Sequence, residues 1–305
     1  ENREVIFTEG AVLERVSREF KIEVDPHILH AALIYSGEGQ KVLHQIYRGY
    51  LNLGADSGLP MVILTPTWRA NVDRLENSSY RSFDVNGDAV KFLENIRAEY
   101  GEYGGSIYIG GLIGCKGDAY KPKEALTSDE AYTFHEYQVK ALANAEADFL
   151  MAATLPALSE AVGISKVMAE TGKDYVISFV IRPEGTLLDG TFIHEAIGTI
   201  DSLVKPKPMF YMVNCVHPTV LQNALGCCRN STDLVRERLI AIQGNTSSLS
   251  PEELDESAEL QTEEPEIFAA MMKSLYLDHG LRIFGGCCGT DHRHIKSMIA
   301  QVINR

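Results

Sequence analysis

Leu281-Arg282-Ile283-Phe284-Gly285-Gly286-Cys287-Cys288-Gly289-Thr290-Asp291, near the end of the chain, is the stretch that decides the reading. An apolar run meets two glycines, two adjacent cysteines, a third glycine and a pair of helix-capping residues. The pattern predicts a buried strand that stops at a tight turn and feeds a helix, because glycine admits backbone conformations that a side chain forbids. Thr290 or Asp291 is placed to cap that helix, whose apolar stripe is Ile295, Met298, Ile299, Val302 and Ile303. Two thiols are thereby held at the mouth of a strand, where the turn sets their direction. Adjacent cysteines can also be small buried hydrophobes or a vicinal disulfide. Strand, Gly-Gly, Cys-Cys, Gly and cap in succession favour a soft-metal site over both.

Outward from this stretch, the strand is the last of eight. Segments 5–8, 61–64, 107–113, 149–152, 175–181, 209–213 and 239–243 read as the other seven. Helical patterns lie between them. One covers 27–35 with Pro26 in its first turn, one runs over 40–53 and stops at Gly54, and one covers 87–100. Thr127-x-x-Glu130 is a capping box before a helix through Phe134, Leu142 and Ala145. Segment 158–171 closes on Gly172, a stripe of Ile193, Ile197, Ile200 and Val204 follows, and 218–225 and 265–279 complete the set, the last capped by Gly280. Ser250-Pro251-Glu252-Glu253 is one further capping signal.

Such alternation demands a parallel sheet with right-handed crossovers. Eight units in 305 residues, with no linker or low-complexity break, close as one (β/α)8 barrel of the TIM type, a single domain over 1–305. A doubly wound open sheet is the alternative. It is weakened because no strand leads into a dinucleotide fingerprint; Gly111-x-x-Gly114-x-x-Gly117 has the wrong spacing.

The barrel makes the cysteines informative, since active sites of this fold lie at the C-terminal ends of the strands. Cys215 sits just past the sixth strand, and Cys287 and Cys288 just past the eighth. Three thiolates converging on one mouth suit zinc and leave the fourth tetrahedral position for substrate. Cys227-Cys228 lies beyond a helix and reads as structural, and Cys115, at the end of the third strand, as a spectator. His217, His292 and His294 read as turn and cap residues, because the cysteines already fill the protein's share of ligands.

Composition narrows the class. With 28 basic and 42 acidic residues the chain carries a formal charge of −14, which argues against nucleic acid or an anionic membrane surface as partner. No apolar run approaches the roughly 20 residues of a membrane span, and no signal-peptide pattern opens the chain. Six cysteines with two vicinal pairs do not make a secreted disulfide framework; a reducing cytoplasm fits better.

Val213-Asn214-Cys215 together with Gly285-Gly286-Cys287-Cys288-Gly289-Thr290 resembles the zinc-dependent homocysteine S-methyltransferase family, whose members make methionine with betaine, S-methylmethionine or folate-linked donors. The resemblance extends over essentially the whole chain: Phe134-His135, Ala145-x-Ala147-Asp148-Phe149-Leu150, Ser178-Phe179 before Leu188-Asp189-Gly190, and 240–245 fall in the expected order. It implies that Cys215, Cys287 and Cys288 ligate Zn2+, and that the partners are a small thiol acceptor and a methyl donor. Metal coordination lowers a thiol's pKa, so the acceptor would bind as a nucleophilic thiolate. Glu9, Gly10, Thr154 and Asn214, at the ends of strands one, four and six, are the candidate substrate-binding residues.

The substrate-facing loops depart from the family pattern. An Asp-Gly pair after strand one is here Thr8-Glu9-Gly10-Ala11, and a Glu-Thr after strand four is Ala153-Thr154. A Ser-x-Gly-Pro turn after strand three is Leu112-Ile113-Gly114-Cys115. The favoured activity is therefore methyl transfer to homocysteine or a related thiol or selenol. A zinc-binding barrel without methyl transfer, serving sensing or partner binding, and a barrel lyase or hydrolase with structural cysteines are the alternatives.

Overall fold

The computed structural model describes residues 5–248 and 262–303. Eight parallel strands close into a barrel in sequence order. They are β1 (Ile6–Thr8), β2 (Met61–Leu64), β3 (Ile107–Gly114), β4 (Phe149–Leu155), β5 (Tyr175–Phe179), β6 (Phe210–Val216), β7 (Leu239–Gly244) and β8 (Ile283–Gly286). Closure comes from β8 pairing with β1, Ile6 opposite Ile283 and Phe7 opposite Phe284. This is the (β/α)8 barrel that the alternation predicts.

Strand periodicity sorts the side chains into two cores. Leu64, Met151, Val176, Met212, Ala241 and Ile283 point inward and fill the barrel. Their strand neighbours, such as Ile63, Ala152, Ile177 and Val213, point outward against the helical ring. Both faces are buried, so the strands read as apolar runs and not as alternating ones.

The described helices are α1 (Leu13–Arg18), α2 (Gly37–Ser57), α3 (Val72–Asn77), α4 (Val85–Ala98), α5 (Ser128–Asn144), α6 (Leu158–Glu170), α7 (Ile193–Leu203), α8 (Pro218–Gly226), α9 (Asp233–Arg238), α10 (Pro265–His279) and α11 (His292–Ile303). The capping box of Thr127 and Glu130 forms as expected, and Gly172 and Gly280 adopt left-handed φ of 71° and 74°. The signal at Ser250–Glu253 lies outside the described residues.

Several expectations are corrected. Segment 27–35 is not an α-helix; Leu29 takes φ 53°, and a 3-10 turn begins only at His30 and runs to Tyr35. Gly54 does not end α2, which continues to Ser57 and stops at Gly58 with φ 68°. Gly54 is there for proximity, because a Cβ would lie 2.1 Å from both Met61 Cγ and Tyr103 Oη. The short α1, α3 and α9 are unforeseen, since six residues make too little periodicity to read. β4 and β6 run past their expected ends at 152 and 213, while β5 stops short of 181. No helix among the described residues is long and apolar enough to cross a membrane.

Candidate active site

The extra residues of β4 and β6 belong to the barrel mouth. Both strands carry register irregularities there, at Ala152/Leu155 and Asn214/Val216. Thr154 and Cys215 hold left-handed φ of 57° and 56°, a strained state for residues with a Cβ. Bulges of this kind re-aim side chains beside active sites, and here one turns the Cys215 thiol toward the end of β8.

The turn after β8 meets it. Cys215 Sγ lies 2.8 Å from Cys287 Sγ, and the three Sγ atoms of Cys215, Cys287 and Cys288 all lie within 4.8 Å of one another. The backbone of the turn is pinned from β7: Cys287 N–H donates to Gly244 O at 2.8 Å and Cys288 N–H to Asn245 Oδ1 at 3.1 Å. Of the glycines in this stretch, only Gly289 needs its conformational freedom, with φ 81°. Gly285 and Gly286 serve close approach instead, since a Cβ would lie 1.8 Å from Thr8 Oγ1 and 2.1 Å from Thr290 Oγ1. Asp291 caps α11 by accepting Arg293 N–H at 2.8 Å. Thr290 turns back to accept Ala11 N–H at 3.1 Å and so ties the turn to β1.

A cavity of about 360 Å3 opens at this end of the barrel. Glu9, Gly10, Thr154, Asn214, Cys215, Cys287 and Cys288, all singled out from sequence, line it together, and so does Ala153. Asn214 organises one wall. Its Oδ1 accepts Thr154 N–H at 2.9 Å and Ser178 Oγ–H at 2.5 Å, and its Nδ2 donates to Cys215 Sγ at 3.5 Å. Trp68 Nε1–H donates to Thr154 Oγ1 at 2.9 Å, and Arg69 stacks over the indole with 4.1 Å to its centroid. On the other wall Glu9 is buried, and Leu64 N–H donates to its Oε2 at 2.9 Å. Burial pushes the Glu9 pKa well above the usual carboxylate range, against the pull of that bond.

The thiols fit a soft metal. Thiolates around a tetrahedral zinc at roughly 2.3 Å sit about 3.8 Å apart; the three Sγ atoms here fall within 4.8 Å of one another, with the Cys215–Cys287 pair, at 2.8 Å, closer than a bound ion would hold it. Contact with Cys215 and burial drive the Cys287 pKa well up. Among the described residues no lysine or arginine lines the cavity to stabilise a cluster of thiolates. A bound cation is the partner this donor set calls for.

The remaining candidates fall away from the cluster. Cys115 is buried, its Sγ 3.4 Å from Gly117 O, and burial raises its pKa to about 12. Cys227 and Cys228 follow the end of α8 and are free thiols. His217 caps α8 with its Nδ1 on Thr219, and His294 pairs with Asp291 at 3.1 Å. Sequence reasoning overlooked three neighbours of the site: His30, Trp68 and Tyr120. His30 and Trp68 line the cavity, and Tyr120 reaches Cys215 from the loop after β3, its pKa raised by the cysteines, Cys215 first, and by burial. Trp68 and Tyr120 gave only the signal of standing shortly after a strand, and His30, well past β1 and beyond α1, gave none.

Comparison with known proteins agrees with this geometry. The chain is 26% identical to the homocysteine S-methyltransferase YbgG of Bacillus subtilis over 206 residues, which cover 67% of this chain and 60% of that relative. It is 23% identical to the betaine–homocysteine S-methyltransferase 1 of Xenopus laevis, with 98% of this chain and 73% of that relative covered. The fold superposes on the homocysteine methyltransferase MmuM from Escherichia coli with a TM-score of 0.78 for its oxidized form, at 18% identity, over 98% of this chain and 97% of that one. The sequence model of the family described as homocysteine S-methyltransferase matches residues 7–302. With that match across nearly the whole barrel, the chain belongs to the homocysteine S-methyltransferase family and is a methyltransferase.

Proposed function

We propose that the protein is a zinc-dependent S-methyltransferase that methylates homocysteine, or a related thiol or selenol, from an onium or other methyl donor in a methionine-forming reaction. The observation that carries this reading is the convergence of Cys215, Cys287 and Cys288 Sγ within 4.8 Å at the barrel mouth, beside an open cavity. These three residues would hold the metal. When bound, zinc lowers the pKa of an acceptor thiol at the open position and keeps it nucleophilic near neutral pH.

The chain's own residues orient and enclose. Asn214 fixes Cys215 through its Nδ2 contact and is itself fixed by Ser178 and Thr154. Glu9 supplies a carboxylate for an acceptor's ammonium; the incoming cation offsets the burial that otherwise favours its protonated form. Gly10 lets the backbone pack against Tyr50, since a Cβ there would lie 2.8 Å from Tyr50 Oη. The cavity walls hold the acceptor sulfur and the donor methyl in near-attack alignment, at about 3–3.5 Å. Free vicinal thiols at two places fit a reducing compartment such as the cytoplasm.

The decisive experiment is a screen of thiol and selenol acceptors against betaine, S-methylmethionine and folate-linked donors, read by mass spectrometry on zinc-replete protein. Methylated homocysteine that disappears in the Cys287→Ser variant supports the reading. Zinc retention without methylation of any acceptor leaves a sensing or binding role, and turnover by the metal-free protein points to a lyase or hydrolase.

A further inference from the structure

His30 is a polar side chain in the mouth cavity that the site described above leaves unused. It opens the 3-10 turn His30–Tyr35, lines the cavity and is only 5% exposed. Its Nδ1 is fully buried without a hydrogen-bond partner. Buried polar atoms normally find partners, and an exception invites a functional explanation. The residue before it, Leu29, is held at φ 53° and ψ −131°, which a leucine adopts only when its surroundings impose it. Asp25 imposes it here: its Oδ1 accepts the N–H groups of His27 and Ile28 at 2.8 and 2.9 Å.

Other polar side chains of the cavity already donate. Tyr47 Oη–H donates to Leu64 O, Trp68 Nε1–H to Thr154 Oγ1, and Thr154 Oγ1–H to Ala153 O. Asn214 Nδ2 donates to Cys215 Sγ, and Gln243 Nε2 to Thr8 Oγ1. Burial lowers the His30 pKa to about 4, so near neutral pH the ring is uncharged, with one N–H and one lone-pair nitrogen. A substrate that enters with a carboxylate meets Glu9 and Glu14, both acidic, and the imidazole of His30, whose Nδ1 has no partner.

We propose that His30 is a specificity-determining residue that donates a ring N–H hydrogen bond to the carboxylate of a substrate bound in the mouth. The inference rests on the thiol methyltransferase reading. A thiol amino acid and a betaine-type methyl donor both carry a carboxylate, and the test separates these sources.

Trp68 is the only tryptophan in the sequence and lines the same cavity, so its fluorescence reports binding without turnover. Zinc-replete wild type, His30→Leu and His30→Gln are titrated with two matched pairs. One pair is homocysteine and 3-aminopropane-1-thiol; the other is glycine betaine and tetramethylammonium. His30→Leu is expected to weaken the carboxylate-bearing member of one pair by about tenfold or more and to leave its counterpart within about twofold. His30→Gln, which restores an N–H donor, is expected to recover most of the loss. An effect in the first pair places the carboxylate on the acceptor, and an effect in the second places it on the donor. The melting temperature of His30→Leu should not fall, because the change removes an unpaired buried nitrogen. Equal weakening of both members of a pair, no change in either pair, or no binding of either carboxylate-bearing ligand to the wild type overturns the proposal. Wild type that binds betaine in a His30-dependent way but neither thiol counts against the thiol acceptor and not against His30.

Discussion

Asn214→Leu is the perturbation that probes the site most directly. Asn214 is 4% exposed and receives two hydrogen bonds, from Thr154 N–H and Ser178 Oγ–H, both on residues that are themselves buried. Leucine has the same number and branching of side-chain heavy atoms but leaves both donors without an acceptor. Stranding a buried donor costs about 1–2 kcal/mol, so the pair should cost roughly 2–4 kcal/mol. An unfolding entropy of about 2.1 cal/mol/K per residue, over 305 residues, converts that into a melting temperature lower by about 3–6 °C. The variant also removes the Nδ2 contact to Cys215 Sγ, and losing such support around a metal ligand typically lowers affinity by about 10–100-fold. Calorimetry on the zinc-stripped protein isolates the first effect, and competition with a chelator of known affinity measures the second. Ser178→Ala, which removes one donor along with its need for a partner, should cost less than half as much and leave zinc binding near wild type. Asn214→Leu that melts and holds zinc like the wild type would refute the argument that this side chain organises the wall.

Further outcomes follow from the same geometry. Replacing Cys215, Cys287 or Cys288 by Ser should abolish retention of about one zinc per chain under reducing conditions, while Cys227→Ser should not; metal analysis of the purified variants decides it. Chelation should leave the circular dichroism largely unchanged, because eight strand–helix units supply their own core; loss of most helical signal would make the metal structural. Homocysteine methylation by the wild type should be weak, since Ala153 lines the cavity where the family pattern has a carboxylate. Ala153→Glu should improve it by about 10–100-fold and Glu9→Ala should remove what remains, and turnover indifferent to both changes would mean that the ammonium binds elsewhere. Glu9→Gln should raise the melting temperature of the ligand-free protein at pH 7–8 but not near pH 4. The folded pKa of Glu9 is raised, so the native state keeps a proton that the unfolded chain releases above about 4.3, and wild-type stability falls as pH rises from there toward the folded pKa. Identical differences between wild type and variant at pH 4 and pH 8 would show that burial does not control this carboxyl.

The barrel and its cysteines were legible in the chain by itself. Strands buried on both faces appear as short apolar runs, and glycine, proline and capping residues mark where each must stop, so local physics suffices to count eight units and to place Cys215, Cys287 and Cys288 at strand ends. Tertiary structure alone decided the rest. Gly54 looked like a helix stop, yet it lies inside α2 because Met61 and Tyr103 press on its backbone. The left-handed Thr154 and Cys215 have no sequence signature, since their conformation is imposed by β-bulges and held by Asn214 across the barrel, 60 residues from Thr154. His30 was invisible for the same reason. A histidine in an apolar stretch says nothing about whether its nitrogens find partners; that depends on which distant walls surround it once the barrel has closed.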